Sequence, residues 1–359
     1  MVSDATHPSP RIAVIGAGIA GSACASALLR SGFEVVVFDK SNGVGGRMAT
    51  RRALRGEAGE TALAFDHGVS HFTATRPRFR SVVARAEALG AVASWSPLVH
   101  RGFPGSASRG AFVAVPTMSS FCKHLLAGVP ARLGQAVTRL HRQHDGWELR
   151  LADGSAAGPF AQVVVAVPAP QAALLLVGHD DAEAEALAAV VMSPCWTLMA
   201  VTDDVDWPWD IADPDDGPLA RVVRDDRKPG RTAGDGARWV AHASHAWSRA
   251  HVDDDAAAVR VALCAALAKL LPDGASLPWR HAVVHRWRYA VAAPVVDGAA
   301  DCWWDGTLGL GVCGDSFGDG SVEAAWRSGD ELADTVAAVI GFEREAVSAS
   351  ESLVVDPVH

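Results

Sequence analysis

The stretch Arg11-Ile-Ala-Val-Ile-Gly-Ala-Gly-Ile-Ala-Gly-Ser22 decides the fold of this chain. It begins with a short β-branched, apolar run, which predicts a buried parallel strand over Arg11–Ile15. The segment Ser22–Ser31 is rich in Ala and Leu and predicts a helix that ends at Gly32. A second buried strand is predicted over Glu34–Phe38, so this region forms a strand–helix–strand unit.

The glycines of this unit are spaced as Gly-x-Gly-x-x-Gly, at Gly16, Gly18 and Gly21. In a dinucleotide-binding turn the first makes the tight turn, the second lets a pyrophosphate approach the backbone, and the third lets the helix pack on the strand. The helix N-terminus offers unpaired N–H groups to phosphates, and Asp39 can accept hydrogen bonds from both ribose hydroxyls. The pattern predicts a dinucleotide site. The alternative is a plain strand–helix–strand unit whose glycines serve only packing.

A second glycine motif follows as Ser41-Asn-Gly-Val-Gly-Gly-Arg-Met-Ala-Thr-Arg-Arg52. It resembles the second glycine motif of the flavin amine oxidase superfamily, in which the glycines pass close to the cofactor and the arginine contacts its phosphates. Gly45, Gly46 and Arg47 match that pattern. A nicotinamide-dependent dehydrogenase does not need this second loop, so the sequence favours FAD over NAD as the resident cofactor.

The composition is typical of a soluble globular protein, with 49% of the 359 residues hydrophobic and 20% charged. The formal net charge of −9 argues against nucleic acid and anionic membranes as partners, and no apolar run has membrane-spanning length. Residues 1–10 lack the pattern of a signal peptide and are expected to form a loose tail. The six cysteines are scattered singly, which is typical of free thiols in a reducing compartment, and we expect a cytoplasmic protein.

Periodicity along the chain predicts further elements beyond the first unit. The predicted helices span Arg78–Leu89, Thr117–Leu126, Asp253–Leu271 and Val322–Val339, the last closing at Gly341. The predicted strands span Ala136–His141, Gly146–Leu151, Gln162–Val167, Leu198–Val201, Arg221–Val223, Trp239–His242, His281–Arg288 and Leu308–Asp315. Residues 102–110 are expected to form a Gly/Ser/Pro-rich loop, and residues 225–235 a polar loop.

Three separated pieces of the chain are expected to build the dinucleotide domain, with a second domain inserted between them. The first domain is assigned residues 1–75, 111–172 and 303–343, and the substrate domain residues 76–110 and 173–302. Residues 344–359 are polar and lack a core-sized apolar pattern, so we expect them to be disordered.

Several stretches resemble a bacterial renalase-like branch of the flavin amine oxidase superfamily. They cover roughly residues 10–340 in family order and include Phe65-Asp-His-Gly, Val165-Ala-Val-Pro-Ala-Pro-Gln-Ala172, Met192-Ser-Pro-Cys-Trp196, Trp247-Ser-Arg249, His285-Arg-Trp-Arg-Tyr-Ala290, Cys313-Gly-Asp and Val322-Glu-Ala-Ala-Trp326. The resemblance implies an α/β fold with an α+β insert, that is, a Rossmann-like FAD-binding domain of p-hydroxybenzoate hydroxylase type with an inserted mixed-sheet substrate domain. It also implies noncovalent FAD and oxidation of isomeric dihydronicotinamide dinucleotides (2- or 6-dihydro-NAD(P)) to NAD(P)+, with dioxygen as acceptor and hydrogen peroxide as product.

The motifs and the resemblance together assign candidate site residues. The cofactor-binding candidates are Gly16, Ala17, Gly18, Ile19, Ala20, Gly21, Asp39, Lys40, Gly45, Gly46, Arg47, Met48, His67, Gly68, Val69, Val137, Ala166, Gly314, Asp315, Val322, Glu323 and Ala325. The substrate-binding candidates are His71, Trp196, His245, Trp287 and Tyr289, of which Trp287 and Tyr289 alternate on a strand and are expected to share one face. Glu323 is also expected to cap the helix that it begins.

The chain departs from the resembled family beside the flavin. It has Ser70-His71 where relatives carry a Gln-Tyr pair, which makes Ser70 and His71 the candidate catalytic residues. Because imidazole titrates near neutral pH, a cavity-lining His71 is expected to give turnover a pH dependence between about 6 and 8. This departure keeps two alternatives open: an amine oxidase or desaturase-like enzyme on another small substrate, and a flavin-binding protein without turnover.

Two further kinds of site are not expected. The histidines fit none of the common zinc spacings, so we predict no metal site. Cys313 lies near the C-terminal flavin motif, where monoamine oxidases attach FAD covalently, but it precedes Gly314-Asp315 on the strand, and we expect no flavin–cysteine bond.

Overall fold

The computed structural model describes residues 10–55, 61–100, 110–232, 234, 236–272, 278–294 and 300–354. The predicted N-terminal tail, except for Pro10, and nearly all of the predicted loop at 102–110 lie outside these ranges. The helices are α1 (Ile19–Arg30), α2 (Pro77–Ala88), α3 (Ser119–Leu125), α4 (Ala169–Leu176), α5 (Asp181–Ala188), α6 (His245–Ala250), α7 (Ala256–Leu270) and α8 (Val322–Val354). No helix within the described ranges has the length and apolar content that crossing a bilayer would require.

Within the described ranges, the strands belong to five sheets. In chain order they are β1 (Arg11–Ile15), β2 (Glu34–Asp39), β3 (Arg51–Arg55), β4 (Thr61–Phe65), β5 (Phe72–Thr73), β6 (Val92–Trp95), β7 (Val99–His100), β8 (Ala111–Ala114), β9 (Ala131–Leu133), β10 (Val137–Gln143), β11 (Gly146–Leu151), β12 (Ala156–Phe160), β13 (Gln162–Val165), β14 (Met192–Thr202), β15 (Ile211–Ala212), β16 (Leu219–Arg224), β17 (Ala237–Ala243), β18 (His281–Ala292), β19 (Trp303–Asp305) and β20 (Leu310–Val312).

The first sheet has the order β19-β20-β13-β1-β2-β9 and is parallel except for the edge strand β19. Its strands come from three separated parts of the chain. One face packs on α1, α3 and α8, and the other packs on α4 and the antiparallel sheet β10-β11-β12. Helices α1 and α8 pack closely at Gly329. A Cβ added there would lie 2.0 Å from the Ala20 carbonyl oxygen, so the contact leaves no room for a side chain.

The second sheet has the order β18-β14-β17-β16-β15-β7 and is mixed, because only β7 and β15 pair in parallel. Side chains of β14 alternate between its two faces. Trp196 and Leu198 pack in one apolar cluster with α7, whereas Met199 and Val201 pack against Leu63 and Phe65 of the β3–β4 hairpin. The Rossmann-like domain and the mixed second sheet confirm the predicted fold class.

The predicted ends of one helix and one strand were wrong. Helix α8 does not close at Gly341 but runs to Val354, so residues 344–354 are not the expected disordered tail, and residues 355–359 lie outside the described ranges. One glycine costs a helix only about 1 kcal/mol, and the following Glu-Arg-Glu-Ala segment is a good helix former. The strand predicted over Leu308–Asp315 spans only Leu310–Val312, since Asp315 begins a 3-10 helix.

The proposed domain boundaries stay a prediction. Helix α2, which falls in the segment assigned to the second domain, packs through Phe79, Val83 and Ala86 into the core that also contains Ile12 and Val14 of β1.

A buried cluster of four ionic side chains joins the two domains. The Asp66 carboxylate, at the end of β4, accepts hydrogen bonds from Arg231 Nε at 3.0 Å and Lys228 Nζ at 3.3 Å. Lys228 Nζ also lies 2.7 Å from Asp225 Oδ1, and each of these four side chains is at most 4% exposed. The segment 225–235 was predicted to be a polar loop, and the structure adds that Asp225 and Lys228 are buried with their charges compensated inside the protein.

Burial raises the pKa of Asp66, but its charged partners lower that pKa by more. Lys228, Arg231 and hydrogen bonds from Met118 N and Thr50 Oγ1 lower the Asp66 pKa to about 2. The carboxylate is therefore ionised at neutral pH and needs its cations. Removing one member of such a cluster leaves a buried charge uncompensated.

We predict that Lys228→Met lowers the free energy of unfolding by about 3–5 kcal/mol, because it strands Asp225 and weakens the compensation of Asp66. Urea unfolding of the FAD-loaded protein measures the change. Lys269→Met, at an exposed position on α7, is the matched control and should cost less than about 0.5 kcal/mol. A loss below 1 kcal/mol in Lys228→Met, or no recovery in Asp225→Leu/Lys228→Met, would contradict this account of the cluster.

Candidate active site

The first glycine turn brings Asp39 to the start of α1. Gly16 N donates to Phe38 O at 2.7 Å, and Ala17 N donates to Asp39 Oδ2 at 2.7 Å. The other carboxylate oxygen of Asp39 accepts from Ser41 N at 2.7 Å. The carboxylate is thus fixed beside the glycine turn, and its expected contact with a ribose stays a prediction.

The three glycines of the turn have different structural reasons to be glycine. A Cβ on Gly16 would lie 2.4 Å from Ala166 O, and a Cβ on Gly21 would lie 1.9 Å from Gly16 O, so the protein itself requires both. A Cβ on Gly18 would meet only Gly46 Cα, at 4.0 Å. Gly18 therefore faces space that the described part of the protein does not fill, at the N-terminus of α1, as a pyrophosphate-binding turn requires.

The second glycine motif closes over the first. Gly45 and Gly46 have φ of +123° and +54°, and Gly45 N donates to Ala17 O at 2.8 Å. A Cβ on Gly46 would lie 3.2 Å from Gly18 Cα, so the two motifs meet at their glycines. The pair of motifs forms a backbone cradle that fits a dinucleotide cofactor.

Arg47 continues from this cradle into an ion pair with Asp315. Its two terminal nitrogens each lie 2.5 Å from an oxygen of the Asp315 carboxylate, and Nη1 also donates to Ala290 O at 3.3 Å. The residues predicted to contact different parts of FAD therefore contact each other, and Asp315 holds the guanidinium in place. Gly314 N donates to Ser328 Oγ at 2.9 Å, which ties the same segment to α8.

The N-terminus of α8 differs from expectation at Glu323. The Glu323 carboxylate does not cap its own helix but accepts hydrogen bonds from Thr75 N, Thr75 Oγ1 and Arg76 N at the start of α2. Ser321 Oγ caps α8 instead, accepting from Ala324 N at 3.1 Å. The carboxylate serves the nearer set of unpaired donors, which lies on another helix.

The segment from Gly68 to His71 lies directly on the second glycine motif. Val69 N donates to Arg47 O at 2.9 Å, and a Cβ on Gly68 would lie 1.9 Å from that same oxygen. Ser70 Oγ and His71 Nδ1 are 3.0 Å apart, and the His71 ring packs edge-on to Trp95. The two candidate catalytic residues are thus hydrogen-bonded to each other.

A cavity of about 920 Å³ opens between this segment and the second sheet. Eight of the predicted site residues line it: Arg47, Gly68, Val69, Ser70, His71, His245, Trp287 and Val322. Trp287 Nε1 donates to His67 O at 3.0 Å, and its ring packs on His67 and His285. The indole is therefore held in a defined orientation at the cavity wall.

Other predicted residues lie elsewhere. Trp196 is buried in the core beside α7 and donates through Nε1 to His251 O at 2.8 Å, and Tyr289 does not line this cavity. Lys40 is exposed, and Val137 packs against the core on the α4 face of the first sheet. Ala166 packs against the core on the opposite face, where its carbonyl oxygen lies next to Gly16 in the first glycine turn. Within the described ranges, no three His, Cys, Asp or Glu side chains are grouped so that they could hold a metal ion.

Arg221 and Asp213 line the cavity but were not predicted from the sequence as site residues. Arg221 Nε and Nη2 donate to the two oxygens of Asp213 at 2.7 and 2.8 Å. In the strand register, Arg221 is opposite His242, and Thr197 is opposite both His242 and His285. These four residues therefore form one row across the adjacent strands β16, β17, β14 and β18. The available signal was a charged residue inside the apolar run Leu219-Ala-Arg-Val-Val-Arg224.

Four histidines in or beside the cavity are neutral at physiological pH. Burial is the main cause, and it lowers the pKa of His67 to about 3 and those of His71, His242 and His285 to about 4. The charge of Arg221 adds to the effect at His71 and His242. The expected titration of His71 between pH 6 and 8 was therefore wrong, because desolvation of the imidazolium outweighs the polar surroundings.

The sequence comparisons agree with this geometry. The sequence model of a NAD(P)-binding Rossmann-like domain matches residues 14–86, and that of the flavin containing amine oxidoreductase family matches residues 87–337. The chain belongs to the flavin containing amine oxidoreductase family. It is an FAD-dependent oxidoreductase, and the backbone cradle between its two glycine motifs fits that cofactor.

Solved structures of several oxidases share the fold of this flavin amine oxidoreductase. Cyclohexylamine oxidase from Brevibacterium oxydans IH-35A aligns with a TM-score of 0.68 and 13% identity, over 93% of this chain and 100% of its own. A candidate protoporphyrinogen oxidase from Exiguobacterium sp. 255-15 aligns with a TM-score of 0.68 and 12% identity, over 92% of this chain and 99% of its own. A redesigned triple mutant of putrescine oxidase aligns with a TM-score of 0.66 and 13% identity, over 92% and 99%.

We predict that Gly18→Ala weakens FAD binding on the order of tenfold or more while the apoprotein keeps its stability, because the added methyl enters space reserved for the cofactor. Gly21→Ala should instead destabilise the apoprotein of the oxidoreductase by about 1–3 kcal/mol or more. FAD titration and thermal melts of the two apoproteins separate the effects. Equal loss of stability in both variants would show that Gly18 serves packing.

We predict that the free energy of unfolding falls as the pH drops from about 6.5 towards 4. The four cavity histidines have lowered pKa values in the folded state, so the unfolded chain binds more protons in this window, and their stabilising contribution is complete only above it. Each group adds a slope of at most about 1.4 kcal/mol per pH unit. Urea midpoints across pH measure it. His71→Gln should reduce the slope, and an unchanged slope in that variant would contradict this account.

Proposed function

We propose that this oxidoreductase oxidises isomeric dihydronicotinamide dinucleotides, reduced at ring position 2 or 6, to NAD(P)+. Dioxygen is the final acceptor, and hydrogen peroxide is the product. The observation that supports this most is the set of neutral imidazoles around a cavity whose wall carries the fixed indole of Trp287.

The protonation state of the cavity favours a donor that needs no base. A dihydropyridine ring loses a hydride, the C–H bond breaking with its electron pair, and becomes an aromatic pyridinium without losing a further proton. An ammonium substrate must first lose a proton, for which the best base has a pKa near the working pH. Imidazoles with pKa values of about 4 are weak bases for that step.

We further propose that the backbone cradle of Gly16–Gly21 and Gly45–Gly46, with Asp39 and the Arg47–Asp315 pair, holds FAD without a covalent bond. When bound, FAD supplies the two-electron oxidant. Cys313 is buried, and its thiol is close enough to Cys24 that their hydrogen bond raises the pKa of Cys24. A buried thiol that faces another thiol is a poor candidate for a flavin link.

The protein's own contribution is position and electrostatics. Trp287 offers a flat apolar surface on which a nicotinamide ring can stack, and its bond to His67 O keeps the indole from rotating. Gly68 lies beside Trp287 on the same wall, since a Cβ on Gly68 would lie 3.3 Å from the Trp287 ring, and Val69 N donates to Arg47 O at 2.9 Å. A nicotinamide stacked on this wall is held in one orientation, and such positioning supplies much of the rate advantage of a site of this kind.

Amine oxidation is the second candidate, and one observation favours it. The carboxylates of Asp213 and Asp215 line the same cavity and would attract an ammonium group. Asp213 is already paired with Arg221, which reduces that attraction.

We expect anaerobic mixing with 2- or 6-dihydro-NAD(P) to bleach the flavin absorbance within the time of one turnover, and admission of dioxygen to restore it with one hydrogen peroxide per NAD(P)+ formed. A panel of primary and secondary amines should leave the absorbance unchanged. The substrate assignment fails if neither dihydro isomer bleaches the flavin. Bleaching by an amine alone would establish the second candidate.

A further inference from the structure

The position of the Arg221 side chain at the cavity wall is set by a carboxylate at the end of the neighbouring strand. Strand β15 ends at Ala212, opposite Val222 of β16, so Asp213 lies opposite Arg221 in the same register. The bidentate pair uses Nε and Nη2 and leaves Arg221 Nη1 without a hydrogen bond to any residue in the described ranges. The Arg221 side chain is 36% exposed, at the wall of the cavity.

The Asp213 pair fixes the plane of the guanidinium without removing its charge from the cavity. That charge contributes to lowering the pKa values of both His71 and His242, so it acts across the cavity from the sheet to the opposite wall. The other arginine of the cavity, Arg47, is engaged by Asp315 and by Ala290 O. Arg221 thus has both a held orientation and an N–H group left for a ligand.

The distance from Trp287 to Arg221 indicates what kind of ligand could contact both. Trp287 lies on β18 and Arg221 on β16, three inter-strand steps away in the order β18-β14-β17-β16. At about 4.8 Å per step the separation is about 14 Å. A small amine cannot reach across that distance, whereas a molecule with a ring at one end and a phosphate beyond a ribose can.

We propose that Arg221 binds a phosphate of the dinucleotide substrate and that Asp213 positions it. This inference rests on the proposed function. A guanidinium presents donors in a planar fork that matches phosphate oxygens, and an ion-paired arginine pays little ordering entropy when the ligand arrives. The phosphates are the anionic groups of the donor, and the nicotinamide end carries none, so Arg221 orients the bound substrate with its phosphates on the β16 side of the cavity.

The test compares three donors in the same dihydro form: the nicotinamide riboside, which has no phosphate, the mononucleotide and the dinucleotide. The Kd of each comes from the dependence of flavin bleaching on donor concentration. Arg221→Gln should weaken the two phosphate-bearing donors about tenfold or more and the riboside less than about twofold. The limiting bleaching rate and the FAD content should stay as in wild type.

Two variants sharpen the result. Asp213→Asn should weaken the same two donors by a smaller factor and spare the riboside, since it releases the guanidinium without removing it. Arg260→Gln removes an exposed positive charge on α7, against the other face of the sheet, and should leave all three Kd values unchanged. A general effect of net charge would show in both arginine variants.

Each outcome decides the inference. Equal weakening of all three donors in Arg221→Gln would assign Arg221 to the nicotinamide end or to the shape of the cavity, and no weakening would remove it from the substrate site. Loss of FAD would place the guanidinium on the cofactor instead. If wild type is not bleached by any dihydro donor, the proposed function fails, and perturbation of the flavin spectrum by NAD+ but not by nicotinamide riboside, abolished in Arg221→Gln, would still support the phosphate site.

Discussion

The cavity depends on how the segment from Asp66 to His71 is held between the two domains. Its first residue is tied to Lys228 and Arg231 of the second domain by a buried ion cluster. Its middle is fixed at Gly68, where the chain passes so close to Arg47 O that no side chain fits. Trp287 hydrogen-bonds to the backbone carbonyl oxygen of His67 from the second sheet. A buried cluster of this kind gains little net stability from its pairing but heavily penalises any arrangement that separates its members. The cluster therefore favours one relative position of the two domains.

The same contacts connect the cofactor cradle to the cavity. Arg47 belongs to the second glycine motif, supports the segment Gly68–Val69 through its carbonyl oxygen, and reaches through its guanidinium to Asp315 at the end of the first sheet. A structural change at the cradle would therefore reach the cavity wall through these hydrogen bonds of Arg47. This arrangement is consistent with an enzyme in which the cofactor carries the chemistry and the protein supplies orientation.

The chemistry available to the cavity follows from its dielectric environment. Burial makes the imidazolium form expensive, and the positive charges of Arg221 and Lys228 add to that cost at His71 and His242. The site therefore combines neutral hydrogen-bonding rings with the guanidinium of Arg221, which Asp213 holds at the edge of the cavity. Such a site suits a donor that is neutral where it reacts and anionic where it is held. The same desolvation overturned the expectation that His71 would titrate near neutral pH.

The sequence by itself determined the first domain and the cofactor class. The strand Arg11–Ile15, the glycine spacing, Asp39 and the second glycine motif are contiguous in the chain, so local periodicity and turn chemistry were sufficient to predict them, and Trp287 and His245 followed from short motifs. The tertiary structure alone decided the partners of Arg47 and Glu323, the depth of Asp225 and Lys228, and the meeting of Asp213 with Arg221. These depend on strand register and on contacts between residues far apart in the chain. A one-residue change in register reverses which face a side chain takes, and no local pattern records it.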